Sequence, residues 1–278
     1  MSQPLLVSLA LKTDRRYFMQ FVLSLLLCCA APLASEATPE IDAYLKSIHE
    51  EIPEFAARLA AVARKGIGTP YHDGPLGEGP DGAYDRDPLI DLTRVDCVTY
   101  VEQTIALAAC PSYEAAFAKL QEIRYQGGQV DFETRNHFMI ADWIPNNPWV
   151  RDVTSSLGVE LESATRTISK RAFFPLVKAP ELGQDTADQS ITIEYVPIAR
   201  LAEAIPKLPS PALILLIGAK PDWLFVLHCG IFLREEDGTG RMYHASSKAG
   251  EVVAQDLEEY LKDSTRYLGI QVYAIDQP

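Results

Sequence analysis

Apolar residues recur at helical spacing from the start of the acidic, signal-free part of the chain. Ile41, Tyr44, Leu45, Ile48, Ile52, Phe55 and Leu59 predict a helix over 41–64, with Pro53 as a point of interruption. Gly66, Gly68 and Pro70 end that pattern and open a Gly/Pro-rich surface loop that runs through Pro88. A second helix is expected from Asp96 to Ala109, carrying Val98, Val101, Ile105 and Leu107 inward; Pro111-Ser112 stops it, and a third follows over 113–123. Residues 124–148 mix glycines, aromatics and polar groups without one period, and read as an irregular recognition segment. After a helix expected over 157–171 the period shortens. Strands are predicted over 191–196, 213–217, 224–233 and 241–244, with Asp237-Gly238 as the turn before the last, then a short helix within 252–261 and a terminal strand over 267–274. Helices first and antiparallel strands afterwards predict an α+β fold, a helical layer packed on a small antiparallel sheet. No repeat, heptad run or low-complexity linker divides residues 38–278, which are therefore expected to form one domain with a helical N-terminal extension and insertions around a cleft.

The N-terminus has a different pattern. Lys12, Arg15 and Arg16 precede an apolar run from Phe18 to Ala31, followed by small residues and acidic ones, as in a secretory signal. Cleavage is expected by residue 37, with Leu33-Ala34-Ser35 and Ser35-Glu36-Ala37 both offering small residues. The run is shorter than the roughly 20 apolar residues of a spanning helix, and no later run approaches that length. An exported, periplasmic protein with no transmembrane span after signal removal follows. Outer-membrane lipoprotein attachment through Cys28 or Cys29 is the alternative, although Leu27 stands where a lipid-attachment signal favours a small residue.

Composition narrows the function classes. With 47% hydrophobic and 23% charged residues, the 278-residue chain can bury a core, and its 19 prolines point to many ordered connections. A formal net charge of -13 argues against nucleic acid as a partner, since phosphate binding draws on clustered Lys and Arg. Beyond the signal only Cys97, Cys110 and Cys229 remain. An odd number leaves at least one thiol unpaired within a monomer. Cys110, at the end of an apolar helix, and Cys229, inside a strand, suit a buried apolar role better than Cys97 does.

Asp96-Cys97-Val98-Thr99 places a thiol where a loop becomes a helix, and free amide donors at such an end favour a thiolate. Read locally, the same residues also fit a capped helix with a buried cysteine. A useful thiol nucleophile needs a base. His228 opens an apolar strand, with Gly230 on the same face by period two, and His244 follows the Asp237-Gly238 turn where antiparallel pairing brings it beside His228. Together they form a Cys-His-His hypothesis: nucleophile, base and a second imidazole that orients the base. His49 and His72 have no metal-ligand spacing, and no glycine motif for phosphate is present, so neither metal nor cofactor is expected.

Three stretches in order, Gly68-Thr69-Pro70-Tyr71 with Asp96-Cys97, His228-Cys229-Gly230-Ile231-Phe232, and Tyr243-His244-Ala245-Ser246, resemble the NlpC-type, papain-like cell-wall cysteine hydrolases. That resemblance implies Cys97 as nucleophile, His228 as base, His244 as the orienting residue and Tyr71 as a substrate-binding residue of the cleft. Asp96-Cys97-Val98-Thr99-Tyr100-Val101-Glu102 and Arg135-Asn136-His137-Phe138 through Asp142-Trp143 are most similar to the N-acetylmuramoyl-L-alanine amidase-like branch. The implied activity is amide hydrolysis in peptidoglycan fragments (muropeptides), with cleavage farther along the stem peptide, or a wall-binding protein without turnover, as alternatives. Arg135, His137, Asp142 and Trp143 are expected to contribute the polar and aromatic parts of a muropeptide pocket, or else to hold an irregular loop together. Two features depart from the family pattern: Cys229, where a compact aliphatic residue is common, and the long interval from Gly74 to Leu92 between Tyr71 and Cys97.

Overall fold

The computed structural model describes residues 39–278; the expected signal segment, its cleavage sites and Cys28 and Cys29 lie outside the described residues. Pro53 divides the first apolar stretch into α1 (Pro39–Glu51) and α2 (Phe55–Lys65). Its ring removes a backbone donor and cannot continue the turn. Helix α3 (Cys97–Ala109) begins at a capping box: the Asp96 side chain accepts from the Thr99 N–H, and the Thr99 hydroxyl accepts from the Asp96 N–H. The reciprocal pair fixes Cys97 as the first helical residue. Ser112 caps α4 (Tyr113–Arg124) through the Ala115 N–H.

Eight antiparallel strands follow among the described residues: β1 (Val150–Asp152), β2 (Glu162–Ile168), β3 (Gln189–Pro197), β4 (Ala212–Gly218), β5 (Val226–Arg234), β6 (Gly240–Ser246), β7 (Glu251–Asp256) and β8 (Tyr267–Ile275). Their order is β2-β3-β8-β4-β5-β6-β7, with β1 also pairing β8. The architecture is thus mixed α+β with an antiparallel sheet. One helical expectation is corrected. Residues 157–171 contain β2 and only a short helix, α5 (Lys170–Phe173), because Glu162 to Ile168 pair residue for residue with β3. The short helix expected within 252–261 is α6 (Leu257–Leu261); it follows β7, in which the β-branched Val252-Val253 pair completes the ladder on β6.

Central strand β4 is buried along its whole length, which explains the unbroken apolar run at 213–217: both of its faces are covered. Leu213, Leu215 and Ile217 join Val101 and Ile105 of α3 in the larger core. Ala212, Ile214 and Leu216 face the other way, into a core with Phe232, Met242, Val272, Leu257 and Leu261. Between helices, Arg124 Nη1 meets Glu102 Oε2 at 2.6 Å and Trp143 Nε1 donates to Glu102 Oε1 at 3.0 Å, all three side chains being buried. This network fixes α3 against α4. Cys97 therefore sits on a rigid element.

Candidate active site

Strands β5 and β6 pair from Ile231↔Tyr243 to Arg234↔Gly240, and beyond that point His228 and His244 lie diagonally across the two strands. Gly230, on the same face as both, permits their approach: a Cβ there would stand 2.9 Å from His244 Cβ and 2.8 Å from the Tyr243 carbonyl oxygen. His228 Nε2 and His244 Nδ1 are 2.6 Å apart, and His244 Nε2 is 2.8 Å from Gln255 Oε1 on β7. With the Gln255 oxygen accepting from His244 Nε2–H, His244 Nδ1 accepts from His228 Nε2–H. His228 Nδ1 is left for a third partner. Burial first, and then the charge of His228, lower the His244 pKa to about 4, so His244 stays neutral near pH 7.

Cys97 lies beside the His228 imidazole, in the wall of the same cleft. Its thiol is held well below the ordinary thiol range by a hydrogen bond from the Cys229 side chain, against the cost of burial, with further help from the imidazole of His228 and the backbone N–H of Cys229. Cys229 Sγ also lies 3.2 Å from the Cys97 carbonyl oxygen. Burial, and then the neighbouring Cys97, push the Asp96 carboxyl up to about 6 against its hydrogen bonds from Thr99.

Tyr71 reaches the same place despite the long interval after it. Its segment pairs with Val95 and with the β6–β7 turn, the Val95 N–H donating to the Pro70 carbonyl and the Tyr71 N–H to the Gly250 carbonyl, at 2.9 and 2.8 Å. Residues 74–92 loop out and return. Burial, followed by Asp73 and Cys97, raises the Tyr71 phenol to about 12, which keeps it a hydrogen-bond donor at neutral pH. Cys97, His228 and Tyr71 open onto one cavity of about 900 Å³, whose walls also carry Lys248, Arg266, Tyr260 and Tyr267. The Tyr260 ring lies 5.1 Å from that of His244 and 6.4 Å from that of His228.

Residues 61–270 match the family described as AmiA-like, N-acetylmuramoyl-L-alanine amidase-like. The chain belongs to this family. Solved structures extend the likeness to the AmiA-like fold. A Legionella pneumophila protein of the DUF1460 family superposes with a TM-score of 0.77 at 23% identity, over 86% of this chain and 95% of that one. An N-acetylmuramoyl-L-alanine amidase from Bacteroides uniformis is 27% identical, with a TM-score of 0.65 over 80% of this chain and 99% of that one. A Bacteroides fragilis protein named as a candidate xylanase is 28% identical, with a TM-score of 0.64 over 77% of this chain and all of that one (100%). None of the curated proteins matches.

Four residues expected in the pocket of this AmiA-like chain are not among those lining the cavity beside Cys97. Arg135 is paired with Glu78 at 2.5 Å and Asp85 at 2.9 Å, and so clamps the long loop that follows Tyr71. His137 is packed among Phe132, Phe173 and Phe174 and hydrogen-bonded to the Phe132 carbonyl at 2.7 Å; burial lowers its pKa to about 4. Asp142 is buried against Lys170 at 2.8 Å and accepts from the Phe138 N–H. Trp143 is fully buried on Glu102. Their geometry is that of a held loop, the bland reading of the same residues, because each polar group already has a partner inside the fold. Gln255, Tyr260 and Tyr267 were not anticipated. Gln255 carries a readable signal only once β7 is a strand, since it then lies diagonal to His244 on one face.

Proposed function

We propose that this chain is a cysteine-dependent peptidoglycan amide hydrolase with an NlpC-type, papain-like site, acting on muropeptides as an N-acetylmuramoyl-L-alanine amidase. The observation that carries the reading is the continuous file of Cys97, His228, His244 and Gln255 at one open cleft. His228 Nδ1 takes the thiol proton, and the Cys97 thiolate attacks the lactyl carbonyl of N-acetylmuramic acid where it joins L-alanine. His244 accepts from the imidazolium and holds its ring in plane, as the third residue of a triad does. The Cys97 N–H at the helix start and the Tyr71 hydroxyl are the donors for the developing oxyanion. The tetrahedral intermediate expels the L-alanine amine, which leaves with a proton from His228. Water then attacks the thioester with His228 as base.

Amide rather than glycosidic cleavage is supported by the carboxylates of the cleft. Most glycosidases use two carboxyl groups that flank the scissile bond, one of them protonated to serve as the acid. Here Asp73 meets the Tyr71 hydroxyl, Asp96 and Asp256 cap helices, and Glu259 pairs with Lys262. Residues 38–278 are proposed to act as one catalytic domain, exported to the periplasm by the N-terminal segment, with lipoprotein attachment as the alternative that fractionation of a Cys28→Ala, Cys29→Ala variant tests.

The decisive assay incubates residues 38–278 with intact muropeptide and with the sugar-free stem peptide. Release of free stem peptide from the muropeptide, with the sugar-free peptide left intact, is expected. Cleavage of the sugar-free peptide moves the scissile bond into the stem. Binding without any new amine removes the enzymatic reading.

A further inference from the structure

The hydrolytic cycle has no use for a second thiol, yet one lies against the first. Cys229 is fully buried on β5, its Sγ is 3.2 Å from the carbonyl oxygen of Cys97, and both residues are free thiols. Period two explains the placement. His228 points to the face shared with His244, so Cys229 points to the opposite face, where the start of α3 packs. The remaining described cysteine, Cys110, is at the far end of α3, thirteen residues or about 20 Å along the helix from Cys97.

From this juxtaposition we propose that Cys229 is a resolving thiol, and that Cys97 and Cys229 form a reversible disulfide when a peroxide oxidises Cys97. The order of events follows from exposure. Cys97 opens onto the large cleft and favours its thiolate, whereas Cys229 has no exposed surface, so a peroxide reaches Cys97 first. The Cys97 thiolate attacks one peroxide oxygen; the S–O bond forms, the O–O bond breaks, the sulfur loses two electrons, and the departing hydroxide takes a proton from solvent to leave as water. In the second step Cys229 sulfur attacks the sulfenic sulfur, the S–S bond forms, the S–O bond breaks, and hydroxide leaves as water with the Cys229 proton.

Local charge gates that second step. In the resting site the hydrogen bond to Cys97 and then burial hold the Cys229 thiol well above its ordinary range. Conversion of Cys97 to a neutral sulfenic acid removes the adjacent negative charge, so Cys229 becomes easier to deprotonate only after its partner has been oxidised. The bond occupies the nucleophile and stops hydrolysis. It also spares Cys97 the sulfinic and sulfonic acids, from which a simple thiol reductant gives no return. The loss of turnover rests on the nucleophile proposed above; the cross-link does not.

The test treats residues 38–278 with a modest excess of hydrogen peroxide and follows thiol state by mass. Expected is a loss of two hydrogens, a proteolytic peptide joining Cys97 to Cys229, and full return of alkylatable Cys97 with dithiothreitol. Under the same treatment Cys229→Ala and Cys229→Ser gain two or three oxygens at Cys97, and dithiothreitol restores less than about a tenth of it. Sulfinate forming at Cys97 of the parent as fast as in the folded variants, or a cross-link to Cys110, overturns the proposal. Where neither variant folds by circular dichroism, the parent peptide map decides alone. A disulfide in a chain that hydrolyses no muropeptide refutes the hydrolase reading and supports this one. An active chain that passes directly to sulfinate does the reverse.

Discussion

His244→Ala isolates the worth of the orienting imidazole. At 2.6 Å, His244 Nδ1 accepts from His228 Nε2, and in the proposed mechanism the bond strengthens when His228 becomes an imidazolium on taking the Cys97 proton. His244 cannot compete for that proton near neutrality, because burial and the charge of His228 keep its own pKa near 4. A hydrogen bond to a charged group is worth about 1.5–3 kcal/mol. The charged form is the one in the transition state, so the loss falls on kcat/KM, at about 10-fold to 150-fold. Water entering the vacated space and accepting from His228 moves the result to the lower end, and His244→Asn, which keeps an acceptor, restores part of it. Gln255→Ala acts one step farther out and is expected to cost no more than about 10-fold. The assay is steady-state release of stem peptide from muropeptide at neutral pH, with circular dichroism on each variant and Cys97→Ala as the inactive reference. Parental kcat/KM in folded His244→Ala refutes the orienting role, and a loss as complete as that of Cys97→Ala refutes the division of roles.

Iodoacetamide reports the state of Cys97 directly: because its pKa is lowered, the thiolate persists as pH falls, and alkylation at Cys97 should slow less than about tenfold from pH 8 to pH 6, whereas an unperturbed thiol slows about 100-fold. Arg124→Met leaves Glu102 charged, buried and unpaired, and should cost about 3–5 kcal/mol in urea unfolding, with part recovered in the Glu102→Gln, Arg124→Met double variant. Breaking the exposed Arg151–Asp276 pair should leave the urea unfolding midpoint unchanged by the same measurement, since solvent screens both charges. His137 has a folded pKa of about 4, below the unfolded value of about 6.5, so its contribution is complete above pH 6.5 and is lost as pH falls through 4. His137→Gln should therefore flatten the fall of melting temperature between pH 6.5 and 4, without abolishing it, since His244 has the same sign.

Local chemistry made some elements readable and hid others. The start of α3 was legible because Asp96 and Thr99 carry both halves of a capping box within four residues, and the break at Pro53 was legible because proline acts on its own turn. Strand β2 was not, since Glu162 to Ile168 become a strand through β3, whose pairing residues lie more than twenty positions away. The short helix expected within 252–261 was found, but the strand before it was not anticipated, and that hid Gln255, whose meaning depends on lying beside His244. Arg135, His137, Asp142 and Trp143 looked like a pocket because polar and aromatic residues stood together with no local partners. Their partners are remote: Glu78 and Asp85 lie 57 and 50 positions from Arg135, and Glu102 lies 41 from Trp143. Sequence order showed which groups were present and left open which of them the fold would satisfy.

The placement of both sulfur and imidazole chemistry depends on the register of one strand. From Ala212↔Phe232 to Leu216↔His228, β5 is held residue for residue by the buried strand β4, and the register skips Leu227 only beyond His228. A slip of one residue would turn Cys229 to the face of His244 and bury His228 under α3, exchanging the proposed base for a thiol. Gly230 opposes that slip from the other side. Its missing Cβ is the space into which Met242 and His244 close, and any residue with a side chain brought to that position would meet them at 2.8 and 2.9 Å. The glycine therefore does more than admit an imidazole. It holds His228 and His244 within hydrogen-bond reach on one face, while Cys229 on the other face stays against the start of α3, where Cys97 meets both His228 and Cys229.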